Sequence, residues 1–314
     1  MLTNKQLTKQ INALDELIES YKDSKEKSKR DFSDYEASYS RRLKQAITFF
    51  QELTVKAVSL TTFSCASKMG RPEKLSLEQR VKILLIQRYM QKSNREMSEL
   101  LVLFTYLQGI DISYKTIERL YDDPRIRTVL FNMNSLINKE LGLTTSNATG
   151  DGTGFMLSIK EHYASTAQKL KEKGKKNTKK RKTFYSFTVM DIDKRIYLAY
   201  GTSYKSEKEA YNKAIEMLRK TGISLESIRL DRYYSGQTLV RNLNEEHEGI
   251  KCYLIPKKGT TIRGTTAWKE MLTEFCKKIS EYLQEYYQRN QSESGFSEDK
   301  RRFGWRIPQK IAER

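Results

Sequence analysis

The hydrophobic spacing of this chain changes character once, near Asn147, and that change limits the fold more than any other feature. Before it, apolar residues recur at helical intervals: Leu7, Ile11, Leu14, Ile18 and Tyr21, then Phe32, Tyr35, Tyr39, Leu43, Ile47 and Phe50. After it come short runs rich in β-branched and aromatic residues, bounded by Gly, Asn and Asp, the pattern of strands. The first part is therefore expected to be helical and the second to contain a sheet.

Within the second part, Ala148 to Ile159 and Thr183 to Met190 read as two strands, Asp191 to Lys194 as a tight turn and Arg195 to Thr202 as a third strand. Glu207 to Arg219 reads as an amphipathic helix and Ile228 to Asp231 as a short strand. Ser235 to His247 follows as a helix started by Ser235, and Lys251 to Ile255 as another strand. A long helix then runs from about Thr265 past Glu293. Three leading strands, alternating helix and strand, and a closing helix give the order of an RNase H-like α/β fold, assigned to residues 147–314.

The first part divides into three. Residues 1–63 read as a helical arm, bent near the polar stretch Asp23 to Lys29. Residues 64–74 form a basic linker, in which Arg71 between Gly70 and Pro72 has the form of a minor-groove-binding core, although an ordinary linker accounts for three residues better. Residues 75–146 read as a helical unit with Val81, Leu84, Leu85 and Tyr89 on one face of its first helix, a second helix capped by Ser93, a turn at Gly109 and a third helix capped by Ser113. That outline is helix-turn-helix-like and would turn Lys115 toward a DNA groove; a plain helical hairpin has the same outline.

Charge narrows the choice of partner. With 58 Lys plus Arg against 39 Asp plus Glu, the net charge of +19 draws polyanions, nucleic acid first among them. No apolar run approaches the ~20 residues of a membrane-spanning helix, and the polar start Met1 to Gln10 is unlike a signal peptide, so a cytoplasmic protein is expected. Cys65, Cys252 and Cys276 are scattered, as reduced core residues would be, and His162 and His247 stand apart from other ligand types, which argues against a zinc site. Lys169 to Lys182 holds nine Lys or Arg against the single acid Glu172. Such a block is a solvated loop, and Lys175, Lys176, Lys179, Lys180 and Arg181 would be placed beside Asp151 to grip phosphates.

Three acids are candidates for chemistry. Asp151 lies inside the first strand, in Thr149-Gly-Asp-Gly-Thr-Gly154; Asp231 ends Ile228-Arg-Leu-Asp231; Glu293 lies on the closing helix. Carboxylates so distributed can converge and hold two divalent ions about 3.5 to 4 Å apart, which activate a water or 3′-hydroxyl for in-line attack on phosphorus. Hard cations such as Mg²⁺ require charged oxygen ligands, and glycines beside Asp151 would allow a close backbone approach. Each acid alone has a structural reading: Glu293 as a solvent-facing helix residue, Asp231 as a cap near Ser235, Asp151 as a turn residue. Asp191 and Asp193 are rival acids, expected to be exposed in their hairpin turn, and Glu298 and Asp299 are expected to point away from the Glu293 face.

Tyr286, Arg289, Glu293 and Lys300, at offsets of three, seven and fourteen from the tyrosine, would line one helix face. Their spacing is similar to the Tyr-Arg-Glu-Lys signature of DDE transposases of bacterial and archaeal insertion sequences, and Asp151-Gly-Thr153 and Asp231-Arg-Tyr-Tyr resemble that group's two aspartate motifs. The resemblance covers about Asn147 to Arg306. It implies that Asp151, Asp231 and Glu293 bind two Mg²⁺ or Mn²⁺ ions, and that Tyr286, Arg289 and Lys300 contact transposon-end DNA. It further implies terminal inverted repeats and target DNA as partners, action at the nucleoid, and a homodimer or larger synaptic complex. Two departures qualify it: only 62 positions separate Asp231 from Glu293, too few for the large β-rich insertion of many relatives, and the basic ending Arg301 to Arg314 lacks a closing apolar segment. A hairpin intermediate is therefore not implied. A truncated, catalytically inactive DNA-binding remnant and a simple metal-dependent nuclease stand as alternatives.

Overall fold

The computed structural model describes residues 2–24, 32–62, 73–108, 110–157 and 183–307. Two compact units result, one of Met1–Ser28, Leu143–Met156 and Lys182–Arg301, the other chiefly of Lys29–Gly142. The expected linker residue Arg71, the basic-loop residues Lys175, Lys176, Lys179, Lys180 and Arg181, and Cys65 and His162 lie outside the described residues.

The first unit is a mixed α/β domain. Its strands are β1 (Thr145–Leu157), β2 (Thr183–Asp191), β3 (Tyr197–Ser203), β4 (Ser224–Arg229) and β5 (Lys251–Tyr253), in the order β3-β2-β1-β4-β5 along the main path of the sheet. β2 runs antiparallel to β1, with Asp151 opposite Thr188, and β3 antiparallel to β2. β4 runs parallel to β1, with Thr149 beside Arg229, and β5 parallel to β4. The centre of the sheet carries Ala148, Phe187, Val189 and Ile228, all fully buried.

Helices cover the sheet. The helix Glu207–Thr221 is capped by Ser206 and ends at Gly222 in the left-handed conformation, and it buries Ala210, Tyr211, Ala214 and Leu218 over β2 and β3. Close approach there requires Gly201, since a Cβ at that position would meet the Ala210 carbonyl oxygen at 2.0 Å. The helix Gln237–Glu246 begins after Gly236 rather than at Ser235, whose buried hydroxyl caps nothing.

Two short helices from the N-terminal region join this core. Asn4–Asn12, with a reciprocal Thr3–Gln6 capping box, and Leu14–Asp23 bury Leu7, Ile11 and Leu14 among the sheet-unit residues. Residues 1–63 thus differ from the single arm read in the sequence: their first part belongs to the unit that contains the sheet, packing on the helices Thr266–Lys277 and Ile279–Tyr286, while Phe32–Ser59 belongs to the helical unit. The amphipathic stripe announced burial without naming the surface it would bury against.

The helical unit contains Leu77–Tyr89, Asn94–Gln108, Tyr114–Leu120 and Pro124–Glu140 around Leu53, Ala57, Val81, Met97, Ile117 and Val129. Ser93 and Glu96 form a capping box, as expected of Ser93. Ser113 instead bonds the Thr116 hydroxyl and caps no backbone amide. The helix Pro124–Glu140 has no counterpart in the sequence reading. Asp123 caps it and also accepts from Arg80 and Arg125, which joins its start to Leu77–Tyr89.

The long helix expected from Thr265 onward is in fact broken. It comprises Thr266–Lys277, Ile279–Tyr286, a 3-10 turn Tyr287–Arg289 and Asn290–Phe303. Lys278, at φ −135° and ψ 58°, makes the first break. Tyr286, Arg289, Glu293 and Lys300 are accordingly spread over two helices and the turn between them.

Candidate active site

Parallel pairing brings the first two acids side by side. Thr149 and Arg229 are the last register partners of β1 and β4, and Asp151 and Asp231 each lie two residues beyond them, at the carboxyl end of β4. Alternation along β1 puts Asp151 on the same face as Thr149. The Thr149 hydroxyl lies 3.3 Å from that of Ser292, so this face meets the helix that carries Glu293. Asp151 Oδ1 accepts the Gly152 amide at 2.9 Å, and Asp231 Oδ1 accepts the Arg232 amide at 2.7 Å, so Asp231 also caps the 3-10 turn Arg232–Tyr234.

The opposite face explains the glycines. A Cβ at Gly150 would lie 2.6 Å from Leu230 Cδ2 and 2.9 Å from Phe187 Cζ, and one at Gly152 would lie 2.2 Å from Glu207 Cδ. Glu207 accepts a hydrogen bond from the Tyr234 hydroxyl at 2.8 Å, and the rings of Tyr234 and Phe187 pack edge to face. Glu207 and Tyr234 thus brace the strand from behind Asp151. The sequence reading missed both, although the Asp231-Arg-Tyr-Tyr run and the bare Gly152 were signals for them.

Arg289 stands among the acids. Its Nη2 is 2.7 Å from Glu293 Oε1 and its Nη1 is 4.0 Å from Asp231 Oδ1, and its guanidinium lies 5.5 Å from the centre of the Tyr286 ring. Tyr286 itself is buried, at 5% exposure, so in this conformation it supports Arg289 from beneath. Burial opposes the charge on Arg289, yet Tyr286, Glu293, Asp231 and Asp151 together hold its pKa above the usual value. Burial pushes Asp151 up to about 6; the Gly152 amide and Arg289 pull it down, while Glu293 and Asp231 push it up. Asp151, Asp231, Glu293 and Arg289 therefore share one electrostatic neighbourhood. Lys300 belongs to it too, its Nζ 5.5 Å from the Phe155 ring centre, with burial lowering its pKa and Asp151 raising it.

A buried arginine joins the two halves of this arrangement. Arg229 donates through Nε to the Glu285 carbonyl at 3.3 Å, pairs with the Glu285 carboxylate, bonds Ser227 and lies 4.7 Å from the Tyr253 ring centre. It fixes β4 to the end of Ile279–Tyr286, immediately before the turn that bears Arg289. The rival Asp191 is not exposed in its turn as expected. At 2% exposure it accepts from Ser146 Oγ and from the Lys194 amide, both at 2.6 Å, which closes the hairpin. Asp299 accepts from the Tyr197 hydroxyl at 2.7 Å. In the other unit, exposed Lys115 lies 3.9 Å from Glu118.

The donor set is oxygen-rich and suits a hard cation. Among the described residues, however, no three His, Cys, Asp or Glu side chains are gathered closely enough to hold a metal in this conformation. In the same conformation the Glu293 carboxylate is paired with the Arg289 guanidinium.

The sheet brings Asp151, inside β1, beside Asp231, just past the parallel strand β4, with Arg289 on the turn Tyr287–Arg289 and Glu293 and Lys300 on the helix that follows; the class these define is a mixed α/β domain with acids and cations clustered over neighbouring parallel strands. Over 313 residues the chain is 38% identical to the probable transposase for insertion sequence element ISA1214 of Archaeoglobus fulgidus, covering 100% of this chain and 92% of that relative. The chain belongs to the insertion-sequence transposases. No family model and no solved structure matches it.

Proposed function

We propose that this protein is a DNA transposase that cleaves insertion-sequence ends and transfers the freed 3′-hydroxyl to target DNA, with Asp151, Asp231 and Glu293 as its catalytic, metal-holding acids. The observation that carries the reading is the placement of Asp151 and Asp231 two residues past one register pair, within electrostatic reach of Glu293. The strand order β3-β2-β1-β4-β5, with β2 antiparallel and β4 parallel to the central strand β1, supports an RNase H-like catalytic domain. The kinship with an insertion-sequence transposase supports DNA as substrate.

Mg²⁺ or Mn²⁺, as a pair bound by the three carboxylates, would supply an activated oxygen nucleophile and stabilise the leaving oxygen. The protein's own part is positional. Asp151 is held within β1 and Asp231 just past the end of β4, Glu293 rides on the helix joined to β1 through Ser292, and Arg289 and Lys300 offer cations to the phosphate backbone. Lys115, on Tyr114–Leu120, would add a phosphate contact from a helix-turn-helix-like unit. Two ends must be handled together, so a dimer or larger complex is the expected active form.

The test uses purified protein with labelled inverted-repeat DNA, a target plasmid and Mg²⁺ or Mn²⁺, comparing wild type with Asp151→Ala and Glu293→Ala. Joined products in wild type and in neither variant are expected. Cleavage without joining would make the protein a nuclease. Salt-sensitive binding with no product would make it a binding remnant.

A further inference from the structure

We infer that Arg289 is an internal counter-ion for the acid cluster, and that its transfer from Glu293 and Asp231 to a DNA phosphate makes metal loading depend on DNA. This rests on the metal-holding role proposed above for the three acids. Three observations carry it.

First, the guanidinium is bound where a cation would go: 2.7 Å from Glu293, 4.0 Å from Asp231 and within electrostatic reach of Asp151. Second, among the described residues no three such ligands are gathered closely enough to hold a metal in the conformation that contains this pairing. Third, Arg289 is poised rather than locked. Its side chain is 17% exposed and its Nε is buried with no hydrogen-bond partner, whereas Glu293 and Asp231 are 48% and 44% exposed on their side chains. An arginine with an unused donor, resting on the Tyr286 ring beside two half-open carboxylates, can exchange those two separate partners for the oxygens of one phosphate, which a guanidinium can take in bidentate fashion.

The consequence is reciprocal. If a phosphate removes Arg289 from the acids, their affinity for a divalent ion rises, and a bound ion must raise affinity for the phosphate by the same factor. Without DNA the site is held charge-compensated and metal-poor. With DNA, the compensating charge moves to the strand and the carboxylates are released together.

The test is Mn²⁺ binding, followed by the electron paramagnetic resonance signal of the free ion, for wild type, Arg289→Gln and Arg289→Lys. Each is titrated alone and with a short random-sequence DNA duplex, with the duplex-only signal subtracted. In wild type the duplex is expected to tighten Mn²⁺ binding about fivefold or more, the lower end of typical coupling between sites. Arg289→Gln should bind Mn²⁺ tighter than wild type without DNA by a similar factor and lose most of the DNA effect. Arg289→Lys keeps the charge but cannot fork across two carboxylates, so it should fall between the two; it also carries the test should the glutamine variant fail to fold. Unchanged or weaker DNA-free binding in a folded variant overturns the inference, as does an undiminished DNA effect. A different result identifies failure of the underlying reading: Asp231→Asn and Glu293→Gln binding Mn²⁺ as wild type does would show that the acids hold no metal at all.

Discussion

Replacing Asp151 by Asn should stabilise the metal-free protein at neutral pH, and by an amount set by the environment of that carboxyl. Burial, with Glu293 and Asp231 nearby, raises its pKa from 3.8 to about 6 in spite of Arg289 and the Gly152 amide. A carboxyl with a raised native pKa binds its proton more tightly when folded. Between about pH 4 and about pH 6 the unfolded chain has released a proton that the native state still holds, so stability falls with rising pH across that window. At 1.36 kcal/mol for each pH unit, the loss approaches about 3 kcal/mol above pH 6. Asn keeps an oxygen to accept the Gly152 amide and removes the charge. The variant and wild type should therefore be almost equally stable near pH 4, and the variant more stable by about 2 to 3 kcal/mol near pH 7. Urea unfolding in EDTA at a series of pH values measures this directly. A variant less stable than wild type at pH 7, or a difference that does not change with pH, would refute the account of Asp151 as a destabilised functional acid.

Two further substitutions probe the frame that holds the site. Tyr282→Phe removes a buried hydroxyl that accepts the Leu254 amide at 2.8 Å and lies 2.9 and 3.2 Å from the Leu254 and Cys252 carbonyls; stranding those groups should destabilise the protein by about 1 to 3 kcal/mol, read from denaturant midpoints at constant slope. Along β1, Gly150→Ala forces a methyl against fully buried Phe187 and Leu230 and should lose about 1 to 3 kcal/mol, whereas Gly154→Ala meets only Thr183 Cγ2 at 3.1 Å and should be close to neutral; equal effects of the two would contradict the packing described.

What could be read from the sequence was what depends on local spacing. The strands around Asp151, the helix Glu207–Thr221 and the cap at Ser93 all follow from periodicity and cap residues, and all appear. The break at Lys278 was invisible for a physical reason: Phe275, Ile279, Tyr282, Leu283 and Tyr286 keep helical spacing straight through it, so the apolar stripe continues although the backbone does not. Asp191 was misjudged because turn residues are ordinarily solvated, while here a buried Ser146 hydroxyl awaits its carboxylate. Glu207 and Tyr234 could not be placed behind Asp151 from spacing alone, since that neighbourhood exists only after β1, β4 and a helix have packed. The start of Pro124–Glu140, by contrast, was legible and overlooked: Asp123 before Pro124 is a cap followed by the residue favoured at the first helical position.

The three acids are not held by equal means, and under the metal-holding role proposed for them that inequality has a consequence. Asp151 and Asp231 derive their separation from hydrogen-bonded parallel strands, a ladder that admits no gradual slippage because a shift of one residue would turn every side chain to the other face. Glu293 has no such ladder. It is set by the Thr149–Ser292 hydroxyl contact on one side of the 3-10 turn and by the Arg229–Glu285 pair on the other, with Arg289 between them. A rigid pair of acids with a third on a separately anchored helix is the arrangement in which the third can change partners while the first two stay fixed. The helix Ile279–Tyr286 leads directly into the turn Tyr287–Arg289 and that turn into the helix carrying Glu293, so the reach of Glu293 is set by the turn rather than by a strand.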